Sequence, residues 1–327
     1  MNTGLRITAY AAALAAAFGI AYGVGGGVGE ISLQTESAAH DGHTDAAPGG
    51  KRTAGPGPTP GPGAAAAPGG LQTSERGYTL DLKTPAVTAG RKTELRFAVV
   101  RDATGRPLTA YEEEHTKELH LIIASRDLTH YRHLHPTRAA DGTWSAPLTL
   151  PRAGVYRVFA DFTPDGGQGL TLGADLTASG AYAPAPLPAP ATTAEVDGYQ
   201  VGLRGRLSPG RDGELTLAVT RNGKPVRDLQ PYLGAYGHLV ALRSGDLGYL
   251  HVHPGGEPGD GTTRPGPDIS FTTTAPSTGT YRLFLDFKHA GRVHTAAFTV
   301  RVDRPAEQPD TPAAPSPESG EHSEHSH

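Results

Sequence analysis

Between about residue 77 and residue 303 the apolar positions come in short runs broken by Gly, Pro, Asn and Asp, with no sustained helical period. Short runs punctuated by turn residues predict β-strands. Strands that follow one another without intervening helices predict an antiparallel sandwich. The pattern is written twice. Residues 94–99 (ELRFAV) answer to 214–219 (ELTLAV), and His120 answers to His238, His133 to His251, His135 to His253 and Pro136 to Pro254, these last four at one offset. Tyr156 to Phe162 answer to Tyr281 to Phe287 at a larger offset, which places a short insertion at 255–267. The expected fold class is all-β, with two tandem immunoglobulin-like antiparallel β-sandwiches at 77–182 and 197–303. A Pro-rich linker, 183–196, joins them.

Local signals agree with this reading. Asn222-Gly223 predicts a type I′ hairpin, because both central residues of that turn need a positive φ. Tyr156 and Tyr281 each follow a Gly into an apolar run, as the tyrosine corner of a Greek-key sandwich does. Alternation along the second such run puts Tyr281, Leu283, Leu285 and Phe287 on one face, the core, with Arg282, Phe284 and Asp286 on the other. Arg157, Asp161, Arg282 and Asp286 are accordingly expected as outward, solvent-facing charges.

The chemistry lies in one hairpin of each copy. Pairing 118–125 with 130–137 around Asp127-Leu128 sets His120 opposite His135, Ile122 opposite His133 and Leu121 opposite Leu134. Asp127-Leu128 fits a two-residue loop poorly, so a longer loop in the same register is also open. Pairing around Gly245-Asp246 sets His238 opposite His253, Val240 opposite His251, Leu239 opposite Val252 and Ala241 opposite Leu250. Gly245 first in a two-residue loop suits a type II′ turn. A one-residue slip would turn every side chain to the wrong face, so this sorting specifies the register: one face apolar, the other carrying three histidines. Opposed Cβ atoms are ~4.5–5.5 Å apart, and imidazoles on them can converge on an ion with bonds of ~2 Å. His120, His133 and His135 form one candidate site, and His238, His251 and His253 a second. Glu118 and Asp161 are possible additional ligands. Neutral imidazoles suit Cu(II) or Zn(II). The competing reading is metal-free: the histidine faces are ordinary polar surface, or they line the contact between the two sandwiches. If the hairpins face each other, the six imidazoles can instead form one shared site.

The flanks set the context. Arg6 precedes an uncharged run, 7–24, which as a helix would span about 27 Å, close to a ~30 Å hydrocarbon core. Residues 1–25 read either as a signal anchor or as a signal peptide cleaved near Ala21-Tyr22-Gly23. The chain is then expected at the cell membrane, single-pass with extracytoplasmic C-terminal domains, or secreted if the helix is cleaved. Residues 26–76 are rich in Gly and Pro and predict a disordered stalk. Residues 304–327 predict a disordered tail ending in alternating His, Glu and Ser, a composition that can capture metal loosely.

Composition narrows the rest. The 327 residues include no Cys and a single Met, at position 1. That excludes disulfides, thiolate zinc sites, iron–sulfur clusters and thioether ligation of Cu(I). A formal charge of −4 without a basic block argues against nucleic-acid partners. The partners expected are a metal ion and, through the N-terminal helix, the membrane. No nucleophile elbow, P-loop or dinucleotide motif occurs. His115, Glu118 and His120 have the wrong spacing for a zinc protease, and 112–114 (EEE) reads as a solvated loop. The chain is not expected to be an enzyme.

On Glu118, Leu119 and His120, on 131–136 (YRHLHP), 156–162, 228–240 and 249–254, the chain resembles a group of bacterial proteins. These have an N-terminal membrane segment and tandem immunoglobulin-like or cupredoxin-like domains, and are often labelled secreted or heavy-metal-associated. The resemblance covers the anchor and both repeats. It implies an envelope location and a link to metal handling. The absence of Cys and of any internal Met sets this chain apart from sulfur-based copper carriers.

Overall fold

The computed structural model describes residues 67–250 and 252–303, all within one compact unit. The N-terminal run, most of the stalk, His251 and the tail lie outside the described residues. Within them every regular element is a strand, and no helix is long and apolar enough to cross a membrane.

In the first sandwich one sheet runs in the order Ser74–Glu75, Tyr78–Leu82, Thr93–Arg101, Thr143–Leu148, Thr137–Arg138. The facing sheet runs Ala86–Thr88, Leu170–Ser179, Gly154–Pro164, His120–Ser125, Tyr131–Leu134. This is the strand order of an immunoglobulin sandwich. One pairing is not antiparallel: Ala86–Thr88 runs parallel to the end of Leu170–Ser179. The second sandwich repeats the plan. Thr193–Val196, Tyr199–Gly205, Asp212–Arg221, Asp268–Thr274 and Val252–Pro254 form one sheet, and Tyr249–Leu250, Gly237–Arg243, Gly279–His289 and Arg292–Val302 the other. Ser74 and Thr193 already belong to sheets, so strand pairing begins a few residues before 77 and 197.

Each sandwich encloses its own core. Phe97, Trp144 and Tyr156 anchor the first; Tyr281, Leu283, Leu285, Phe287 and Phe298 anchor the second. The inward alternation of the run at 281–287 is as read from the sequence. Both tyrosine corners are formed: the Tyr156 hydroxyl donates to the Arg152 carbonyl and that of Tyr281 to the Ser277 carbonyl, each at 2.9 Å. Asn222 and Gly223 take φ values of 50° and 72°, as a type I′ turn requires.

The other face of that strand is not a solvent face. A third apolar cluster joins the two sandwiches: Ile122, Ala124, Leu128, Tyr131 and Phe159 from the first, Val240, Leu242, Leu247, Tyr249 and Phe284 from the second. The contact is reciprocal. Tyr131 stacks on Phe284 with ring centroids 4.1 Å apart and planes 6° from parallel, and Phe159 packs on Tyr249 at 5.6 Å. The Tyr131 hydroxyl donates to Asp286 at 3.3 Å and the Tyr249 hydroxyl to Asp161 at 3.4 Å. Thr295 and Thr171 supply the matching second donors, to Asp286 at 2.5 Å and to Asp161 at 2.7 Å. The expectation of outward charges therefore fails at Asp286, which is 2% exposed. Alternation along a strand states which residues share a face; it does not state what covers that face.

The hairpin loops contribute to the same contact. Ser125 and His130 bracket a four-residue loop, and Arg243 and Gly248 bracket the other. The two-residue type II′ turn expected at Gly245-Asp246 is replaced by this longer loop, with the register unchanged. Leu128 and Leu247 sit in the loops at φ 56° and 63°, a conformation that costs a non-glycine residue roughly 1–2 kcal/mol. Both side chains are buried in the interdomain cluster, which returns about 1.5–3 kcal/mol per leucine. The linker is held as well: Leu187 packs on the cluster and the Ala185 amide donates to Asp127 at 3.1 Å.

The corner hydrogen bonds supply a direct check on the fold. Tyr281→Phe leaves the Ser277 carbonyl short of its partner and is expected to lower unfolding free energy by about 1–2 kcal/mol. Chemical denaturation of the full chain measures this, and an unchanged midpoint would remove the corner as a stabilising element.

Candidate metal centre at the domain junction

His120 opens the strand His120–Ser125, where its backbone pairs with Asp161. His133 lies opposite Ile122, with Leu121 opposite Leu134, as the register reading has it. Leu134 turns inward onto the first core, so His133 and His135, one residue to either side, share the outer face. The ladder ends before His135, yet its ring lies 4.9 Å from that of His133 and 5.6 Å from that of His120. One ligand nitrogen from each of the three falls within 4.8 Å of the others.

The individual atoms are informative. His120 Nδ1 and His133 Nε2 are 3.1 Å apart. Two nitrogens on one tetrahedral ion, each ~2.0–2.1 Å from it, would be about 3.3 Å apart. The far nitrogens are held from behind. His120 Nε2 donates to the Glu114 carbonyl at 3.1 Å and His133 Nδ1 to Asp286 at 2.9 Å. Metal-ligating histidines take this arrangement, with the second ring nitrogen on a carbonyl or carboxylate that fixes tautomer and orientation. His135 Nε2 is buried without a hydrogen-bond partner among the described residues.

Proton bookkeeping follows from these bonds. A carbonyl and a carboxylate only accept, so His120 Nε2 and His133 Nδ1 each carry a hydrogen. One more hydrogen must lie between His120 Nδ1 and His133 Nε2. A bound cation would take the place of that shared hydrogen. Burial, then the neighbouring His133, lowers the pKa of His120. Burial, with His133 and His120 next, pushes His135 down to about 3.

The second sandwich reaches the same place. His238 donates from Nε2 to the Tyr232 carbonyl at 2.7 Å, repeating the tie of His120 to Glu114 and leaving Nδ1 as the lone-pair atom. Its ring is 6.0 Å from His133 and 6.2 Å from His120. Burial dominates in pushing it down to about 4. His115, at φ 49°, closes the group 5.3 Å from His238. A cavity of about 50 Å³ among Glu114, His115, His120, His133, Asp161 and His238 has room for an ion or one water, whose share of liquid volume is about 30 Å³.

Other sequence-assigned residues fall elsewhere. Glu118 is committed to Arg138 by two hydrogen bonds of 3.0 and 2.8 Å, so it is not a ligand here. Asp161 lines the cavity, with its oxygens engaged by Thr171 and Tyr249. His253 is not opposite His238. After Leu250 the chain crosses to the other sheet, and His253 pairs with Thr272 there. The crossing lets Val252 pack on the second core, and it comes earlier than in the first copy, where Leu134 still pairs with Leu121. His251 lies outside the described residues. Asp286, His115 and the Glu114 carbonyl were not assigned to this site from sequence. For Asp286 the signal was present: Phe284 shares its face, and a large aromatic between charges marks a covered surface.

Comparison with known proteins gives a family. The family profile described as Domain of unknown function (DUF8832) matches residues 72–180 and 194–304. The chain belongs to this family, in tandem. No curated protein matches it by sequence. Among solved structures it is similar to FdeC, an Escherichia coli adhesin, at 17% identity and TM-score 0.24, over 73% of this chain and 66% of that one. It is similar to invasin, a bacterial integrin-binding protein, at 15% and 0.21, over 70% and 39%. InvD of Yersinia pseudotuberculosis matches at 15% and 0.23, over 74% and 62%. The chain spans less than two thirds of each of these proteins, and none of the likenesses bears on the histidine cluster.

Burying neutral imidazoles ties stability to pH. Below the ordinary histidine value of about 6.5 the unfolded chain takes up protons that folded His238 and His135 refuse until about pH 4 and 3. Stability is therefore complete above pH 6.5 and falls as the pH drops toward 4. The slope is on the order of 1.4 kcal/mol per unit for a fully buried histidine. Denaturation midpoints between pH 7 and 4 measure it, and His238→Gln is expected to flatten the curve.

Proposed function

We propose that this chain is a non-catalytic binding module of the cell envelope that takes a divalent transition-metal ion, Zn(II) or Cu(II), at the junction of its two sandwiches. One observation carries the reading: His120 Nδ1 and His133 Nε2 stand 3.1 Å apart, each ring held from behind by a carbonyl or carboxylate, with His135 Nε2 buried and unpartnered beside them. Neutral imidazoles in a desolvated setting suit these ions, and no sulfur ligand exists to favour Cu(I). His120, His133 and His135 would hold the ion; the chemistry it supplies is retention alone. The envelope location rests on the uncharged run at 7–24 behind Arg6.

A second reading, a metal-free structural or protein-interaction module, has its own support. The His120–His133 pair is fully hydrogen-bonded without an ion, and the apolar interdomain cluster joins the sandwiches by itself.

Zn(II) titration of the full chain, with His322, His325 and His327 replaced by Ala so that the tail is silent, separates the two. Tight uptake is expected, abolished in the His120→Ala, His133→Ala, His135→Ala triple variant and unaffected by His253→Ala. No uptake in the parent favours the metal-free module, and uptake that survives the triple variant removes this trio as the site.

A further inference from the structure

Resting on the metal reading of the cluster, we infer that the second sandwich completes the site, so that a bound ion and the docking of the two sandwiches reinforce each other. The three nitrogens that converge all belong to the first sandwich. What orients and closes them does not. Asp286 reaches across the junction to His133 Nδ1, and it is fixed there by two further donors, Tyr131 from the first sandwich and Thr295 from its own. His238 lies backbone-to-backbone opposite Asp286 and fronts the same trio.

Four imidazoles on one tetrahedral ion would have ring centroids about 5 Å apart, from the ~2 Å bond and the ring size. The trio already lies at 4.9 to 5.6 Å. His238 lies at 6.0 and 6.2 Å from two of them, so a closure of about 1 Å along the junction brings its Nδ1 into the set. Its Nε2–H is already spent on the Tyr232 carbonyl, which selects the tautomer a ligand needs. Asp286 is a positioning residue and His238 the fourth nitrogen. The first sandwich alone offers an incomplete site.

The coupling must run both ways. An ion held by nitrogens from both sides opposes opening. Loosening the junction withdraws Asp286 and His238 and weakens the ion's hold. Phe284 tests this well, because it stacks on Tyr131 across the junction and, among the described residues, makes no ring contact with a histidine.

The experiment uses the full chain with the tail histidines replaced. Zn(II) affinity is measured by competition, the Co(II) ligand-field spectrum reports coordination, and hydrogen exchange is followed in Gly279–His289. Asp286→Asn is expected to lose 10–100-fold in affinity and to alter the Co(II) spectrum. His238→Ala should lose at least as much, and Phe284→Ala several-fold. Zn(II) should slow exchange in Gly279–His289 in the parent and not in Asp286→Asn. If Phe284→Ala does not fold, Asp286→Asn and His238→Ala decide. Parent-like affinity and spectrum in both would overturn the coupling while the trio stands as a metal site. A parent that takes up no ion overturns the coupling and the metal reading together.

Discussion

The apolar contact between the two sandwiches is the condition on which the histidine cluster depends. Tyr131 on Phe284 and Tyr249 on Phe159 form its centre, and the polar groups at its rim are bonded largely to one another. That is why Asp286 and Asp161 each collect a tyrosine and a threonine hydroxyl, and why every mapped ring nitrogen of His120 and His133 faces a partner. A buried polar group without a partner is costly. Among the described residues His135 Nε2 is such a group, and its ring lies beside those of His120 and His133.

Much of this was legible in the chain and some was not, for reasons that differ by residue. The hairpin registers could be read because a one-residue slip would exchange the apolar and histidine faces, so Leu121, Leu134, Ala241 and Leu250 together allow a single pairing. The tyrosine corners and the Asn222-Gly223 turn are local devices with local signatures. His253 was misplaced because the point at which a strand changes sheets is set by packing: Val252 is drawn to the second core, and no periodicity announces the crossing. Glu118 was read as a possible ligand for a similar reason: the chain changes sheets just after the hairpin, and the short strand that follows brings Arg138 onto both carboxylate oxygens. Asp286 was misread because its partner face belongs to another domain.

The two sandwiches use their common plan unequally. Glu114 and Tyr232 present equivalent carbonyls to equivalent histidines. Leu128 and Leu247 accept the same left-handed backbone to reach the same cluster. The symmetry is broken at the histidines themselves, for His115 stands where the second copy has Leu233, and His135 joins the group while His253 departs.

This departure draws its meaning from the covalent tie between the halves. Two identical subunits meeting about a twofold axis must accept every substitution twice, once on each side of the seam. A fused pair carries the seam on one gene product, so one half can gather three imidazoles while the other contributes His238 and the supporting carboxylate. The association also no longer depends on protein concentration, since each partner arrives already attached. The Pro-rich segment from 183 to 190, pinned at Ala185 and Leu187, is thus what permits a lopsided site to persist on a symmetric scaffold.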